Sequence, residues 1–209
     1  MKENLKQDFF PEANDLNKQS TISSIRKATP IFSFFLYPIT NTVPASTVDL
    51  KQVFELIKSD EFQKQTKELR SLEDSFSAKL YKTRNFCFAT FSGVFEMRNN
   101  KGLIQHSGLL TIDIDHINNV DEVKHKLLQD PYFETELLFT SPSGDGLKWI
   151  IGIDTNKGLN DRYFPAIQNY LHHRYAIEID KSGKDLARAC FLPYDPEVYI
   201  NPIHLSNEA

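Results

Sequence analysis

The chain has 209 residues, 40% of them hydrophobic, including 16 Phe and 8 Tyr, enough apolar surface for one packed domain. Its formal net charge of −4 excludes an overall basic field of the kind that marks many nucleic-acid binders. The longest apolar run, Ile31 to Tyr37, is too short to cross a bilayer, so no membrane partner is expected.

Residues 1–25 are polar and rich in Asn, Gln, Lys and Ser, and read as a flexible N-terminal arm. Met1 to Asp8 is charged and lacks an apolar signal-peptide core, so a cytoplasmic protein is expected. The remainder, 26–205, reads as a single domain with an N-terminal αβ portion (26–80) and a second portion (81–205). Ile31 to Tyr37 reads as a strand closed by Pro38. A helix is expected to start at Ser46 or Thr47, with Leu50, Val53, Phe54 and Ile57 on one stripe. A second runs from about Glu61 to Leu72, with Lys64, Lys67 and Arg70 on a polar face expected to be solvated. Phe86 to Phe91 reads as a strand, and Asn99 to Gly102 as a turn.

Leu109-Leu110-Thr111-Ile112-Asp113-Ile114-Asp115 reads as a buried strand carrying two carboxylates. Strand side chains alternate, so Asp113 and Asp115 share a face about 6–7 Å apart, while Ile112 and Ile114 face a core. Paired carboxylates repel and resist burial unless something positive lies between them. A divalent cation such as Mg²⁺ or Mn²⁺ suits oxygen ligands; a neighbouring Arg or a solvated sheet face are the other answers. Asn119, followed by Glu122, signals the start of a helix that Asp130-Pro131 ends. Glu136 to Thr140 and Trp149 to Ile153 read as strands. Between them, Ser141-Pro142-Ser143-Gly144-Asp145-Gly146-Leu147-Lys148 offers hydroxyls, glycine N–H groups and an ammonium suited to phosphate oxygens, or else a plain turn. It has neither the spacing nor the following helix of a Walker loop. An amphipathic helix is expected from Asn160 to Arg174, then a short strand Ala176 to Asp180, and a strand-like Ala189 to Leu192. Cys87 and Cys190, each among apolar neighbours, read as buried thiols.

The order of these pieces resembles the three motifs of the archaeo-eukaryotic primase (primase-polymerase) superfamily, and within it the VirE N-terminal domain family of bacterial and mobile-element proteins. The resemblance is carried by Phe91-Ser92-Gly93-Val94-Phe95 with Arg98, His106 to His116, Ser141 to Lys148, Asp185-Leu186-Ala187-Arg188 and Tyr194-Asp195-Pro196. It implies an α+β fold: an RRM-like antiparallel or mixed catalytic sheet with helices packed on it, preceded by a smaller αβ unit. It implies a nucleotidyltransferase of DNA replication in which Asp113, Asp115 and Asp180 hold Mg²⁺ or Mn²⁺. Ser141, Ser143, Gly144, Gly146 and Lys148 would hold the nucleoside triphosphate, and Arg188 would assist the phosphates or template. Implied partners are a DNA template, an RNA or DNA primer and a helicase-like C-terminal domain. The superfamily usually has His where this chain has Lys148, and Asp185 competes with Asp180 as third ligand. A metal-dependent nuclease and a non-catalytic nucleotide- or nucleic-acid-binding module would use the same residues.

Overall fold

A computed structural model describes residues 29–179 and 181–206. The expected arm, residues 1–25, and Asp180 lie outside the described residues. The fold is α+β, built on two four-stranded antiparallel sheets and a hairpin. The first sheet has strands in the order β2-β1-β3-β9, where β1 is Ile31–Phe35, β2 Ser46–Asp49, β3 Phe88–Thr90 and β9 Cys190–Phe191. The second has the order β10-β7-β8-β6, where β6 is Leu109–Ile114, β7 Thr135–Thr140, β8 Leu147–Gly152 and β10 Tyr199–Ile200. The hairpin joins β4 (Gly93–Phe95) to β5 (Leu103–His106). Five α-helices are described: α1 (Leu50–Lys58), α2 (Gln63–Arg70), α3 (Ser75–Asn85), α4 (Val120–Leu128) and α5 (Asn160–Tyr175). None is long and apolar enough to cross a membrane.

In the second sheet, β8 lies between β6 and β7, and α4 connects β6 to β7, a split β-α-β arrangement. Its two faces have different partners. Leu110, Ile112, Leu138, Trp149 and Ile151 pack with Ile167 and Leu171 of α5. The opposite face, with Leu109, Leu137, Phe139 and Ile150, packs with Phe32 and Ala89 of the first sheet and Leu50, Val53 and Ile57 of α1. The alternation that puts Asp113 opposite Ile112 therefore aims it at the seam between the sheets. Residues 26–80 and 81–205 also share the first sheet, since β3 pairs with both β1 and β9.

Several elements differ from the sequence expectation. Ser46–Asp49 is an edge strand paired with β1, and α1 starts at Leu50. Asp49 Oδ1 accepts from the Gln52 N–H at 2.8 Å while Gln52 Oε1 accepts from the Asp49 N–H at 3.0 Å, so a capping box fixes the boundary. Residues 176–179 form no strand. Ala176 caps α5 in the left-handed conformation (φ 55°), and Ile177 and Ile179 then pack into the core as irregular chain. Cys87 and Cys190 are buried free thiols, as expected.

The residues just before β6 are structural. Ser107 Oγ donates to Phe91 O, and Asn160 Nδ2, at the start of α5, donates to Ser92 Oγ at 2.9 Å. His106 Nδ1 accepts from the Gly108 N–H at 2.9 Å, and its Nε2 faces Asn160 Oδ1 at 3.3 Å. That pattern requires neutral imidazole with the proton on Nε2. Burial holds the His106 pKa below the usual 6.5, against the opposing pull of Asn160. The depressed value means the unfolded chain takes up the proton first, so the neutral-ring contribution is complete above pH 6.5 and is lost as pH falls below it. Melting temperature measured from about pH 7.5 down to about pH 5.5 is expected to fall, and His106→Gln to remove part of that slope. An unchanged slope in the variant would show that His106 does not contribute.

Candidate functional site

Asp113 pairs across the sheet with Lys148, and Phe139 lies opposite Lys148 on β7. Lys148 thus belongs to strand β8, not to the loop in which the sequence placed it. Its Nζ lies 3.0 Å from Asp113 Oδ1 and 3.6 Å from Asp115 Oδ1, between the two carboxylates. Arg188, two residues before β9, donates from Nε to Asp113 Oδ2 at 2.9 Å and from Nη2 to the same oxygen. The Asp113 side chain is only 5% exposed, whereas that of Asp115 is 42% exposed and opens the cluster to solvent. Asp113 Oδ1 meets the Lys148 ammonium at 3.0 Å, so both oxygens of this carboxylate face cations.

Burial pulls the Lys148 pKa down, but Asp113 and Asp115 outweigh it and the net shift is upward, so the ammonium stays charged. Lys82 of α3 lies near enough to be coupled to Lys148, Asp115, Asp145 and Asp113. Burial first and Lys148 second lower its pKa. Cys190 is fully enclosed beside the cluster, and burial together with Asp113 raises its thiol pKa to about 12. It is an inert wall, not a nucleophile.

The Ser141–Gly146 loop borders this cluster. Ser141 N–H donates to Gly146 O at 2.8 Å and closes the loop on itself. Gly146 is pressed against β6: a Cβ there would lie 2.4 Å from Ile114 O and 3.1 Å from Asp115 Cα. Asp145 O accepts from the Ile117 N–H at 2.8 Å, and its carboxylate pairs with His116 Nδ1 at 2.9 Å. Gly144 supplies a positive φ of 88° that L residues rarely adopt. Ser141 is buried, and its Oγ finds no hydrogen-bond partner among the described residues. Ser143 is exposed at the loop tip.

Arg70 holds this loop from outside. Its Nε donates to Pro142 O at 3.1 Å and its Nη2 to Ser141 O at 3.2 Å. The solvated role expected for Arg70 is thus corrected. No local signal in α2 announces a contact formed across 71 and 72 residues of sequence. Lys82 was missed for a related reason. Helix α3 buries none of its residues, so it has no apolar stripe to reveal it.

The site brings together Asp113, Asp115, Lys148 and Arg188, with Gly146 at the edge and Ser141, Ser143 and Gly144 in the adjoining loop. Asp180 lies outside the described residues. Asp185 Oδ1 accepts from the Ala187 N–H at 3.1 Å, a local turn contact. Among the described residues, no group of three or more His, Cys, Asp or Glu side chains could hold a metal ion.

Fold and site together define a class: an α+β domain whose sheet-to-sheet seam ends in a carboxylate–cation cluster beside a glycine loop. A family model, the BT4734-like N-terminal domain, matches residues 82–200, more than half of the chain. The chain belongs to the BT4734-like N-terminal domain family. Neither the curated proteins nor the solved structures yield a significant match.

Proposed function

We propose that this domain is a nucleotidyltransferase of the primase-polymerase type, acting in DNA replication of a bacterial or mobile element. One observation carries this reading: Asp113 and Asp115 share a sheet face at the mouth of the glycine loop and enclose a cation between them. Mg²⁺ is commonly held by one or two carboxylates, with substrate phosphates and water completing its octahedron. Asp113 Oδ1 and the half-exposed Asp115, bridged by the Lys148 ammonium, are the two carboxylates that would meet that requirement. Bound there, Mg²⁺ or Mn²⁺ would neutralise the phosphates and polarise the phosphorus under attack. Arg188 and Lys148 supply charge for the polyphosphate, and the loop supplies backbone N–H groups and the spare Ser141 hydroxyl. The first sheet shields the Asp113 end from water, which strengthens these interactions.

A second reading is a non-catalytic module that binds nucleotide phosphates without a metal. The position of the Lys148 ammonium, where a divalent ion would neutralise both carboxylates, favours it.

Calorimetry with ATP or dATP and Mn²⁺ separates the two. Wild type is expected to bind only with metal, and Asp113→Ala/Asp115→Ala to lose binding by more than about tenfold. Metal-independent binding that the double variant keeps would establish the phosphate-binding module. No binding under any metal condition would remove the nucleotide from this site.

A further inference from the structure

The cluster sets three cations, Arg188, Lys148 and Lys82, against three carboxylates, Asp113, Asp115 and Asp145. Arg188 already neutralises Asp113 through Oδ2. Lys82 contributes a further cation, and Asp145 is engaged by His116. Lys148 inserts its ammonium between Asp113 Oδ1 and Asp115 Oδ1, at 3.0 and 3.6 Å, and so bridges the two carboxylates. A monovalent ammonium and a divalent ion within about 3 Å of each other repel too strongly to share one gap. The lysine stem has four rotatable carbons, and its end lies beside a half-exposed carboxylate and the glycine loop, so a short swing carries the charge from one to the other.

We propose that Lys148 is the resident cation of the Asp113–Asp115 pair. It occupies the divalent-ion position and yields it when an anionic group draws the ammonium toward the Ser141–Gly146 loop. This rests on the metal–nucleotide reading of the site and adds an order to it: metal and polyphosphate each favour the other's binding, because the polyphosphate draws Lys148 out of the metal's position and the metal drives the ammonium toward the polyphosphate. Lys148 is here a positioning residue that sets metal affinity.

The test is Mn²⁺ binding to the full chain, followed by the electron paramagnetic resonance signal of the free ion, with no phosphate present. Lys148→Met is expected to bind Mn²⁺ about tenfold or more tightly than wild type, because a competitor of like charge is gone. Lys148→Arg, which keeps the charge, is expected to stay close to wild type. A merely structural lysine predicts the reverse for Lys148→Met, since disrupting the site weakens binding. Should Lys148→Met fail to fold, nitrogen-resolved NMR of the wild-type lysine ammonium groups decides. The Lys148 signal, assigned by its loss in Lys148→Arg, is expected to shift saturably with Mg²⁺. Equal or weaker Mn²⁺ binding by Lys148→Met overturns the proposal, as does an unmoved ammonium signal at saturating Mg²⁺. If wild type still binds nucleotide with metal in that case, only the role of Lys148 falls. If no form of the protein binds Mn²⁺, the metal reading falls with it.

Discussion

Replacing Arg188 with alanine is expected to lower unfolding free energy by about 2–4 kcal/mol, among the largest effects of any single change near the site. The reason lies in Asp113, whose side chain is 5% exposed and has Oδ2 committed to Arg188. Removing the guanidinium leaves a buried carboxylate with the shared Lys148 ammonium as its remaining ion-pair partner among the described residues. A charge that has lost its partner in the interior keeps its desolvation cost and forfeits the attraction that offset it. The cost stays below the full buried-pair range because the Arg188 side chain is 21% exposed and water enters part of the gap. Urea denaturation of Arg188→Ala, Asp113→Asn and the double variant gives the coupling directly. An interaction of at least about 1.5 kcal/mol is expected, since the two groups touch. A loss below about 0.5 kcal/mol in Arg188→Ala would mean that the pair is solvated and the cluster is not an enclosed one.

Gly146→Ala is expected to cost about 2–4 kcal/mol, through overlap rather than through charge. The added Cβ would meet Ile114 O at 2.4 Å, a backbone atom that cannot rotate away. The chain must move away from β6 at Gly146, just before β8 and two residues before Lys148, so the ammonium leaves its position between the carboxylates. Gly152, at the far end of the same strand, is the control. A Cβ there would meet only the Glu136 side chain, at 3.2 Å, and Gly152→Ala is expected to cost under about 1 kcal/mol. Equal effects of the two substitutions in urea denaturation would show that close packing against β6 is not what fixes this residue.

The same-face relation of Asp113 and Asp115 was legible in the sequence because strand alternation is a local rule. The buried strand around them, the glycine turn and the Asn119 helix start were legible for the same reason. What was not legible depends on distance along the chain. Strand β9 falls inside the expected strand-like Ala189 to Leu192, but its pairing with β3 was not legible; β10, two residues long, exists because it pairs with β7, and nothing within two residues encodes that pairing. Ser46 to Asp49 satisfies helix-start rules through Asp49 and strand pairing through its backbone, and only the presence of β1 decides between them. Ile177 and Ile179 alternate like a strand but find no strand to pair with, and burial in the core suffices to hold them. Arg70 and Lys82 reach the site only because two sheets and their helices meet along one seam.

That seam has a consequence for the chain as it leaves the ribosome. Strand β3 is central in its sheet, held by β1 on one side and by Cys190–Phe191 on the other, and β10 then closes the edge of β7. The first sheet is not complete until Cys190–Phe191 has emerged, and the second not until Tyr199–Ile200 has. At about 5–20 residues per second, β3 waits several seconds with one exposed backbone edge before β9 can arrive. Nascent chains arrested before residue 190 are therefore expected to be cut readily by protease, and chains arrested well past residue 200 to resist. Protection gained before β9 emerges would mean that the earlier strands fold without it.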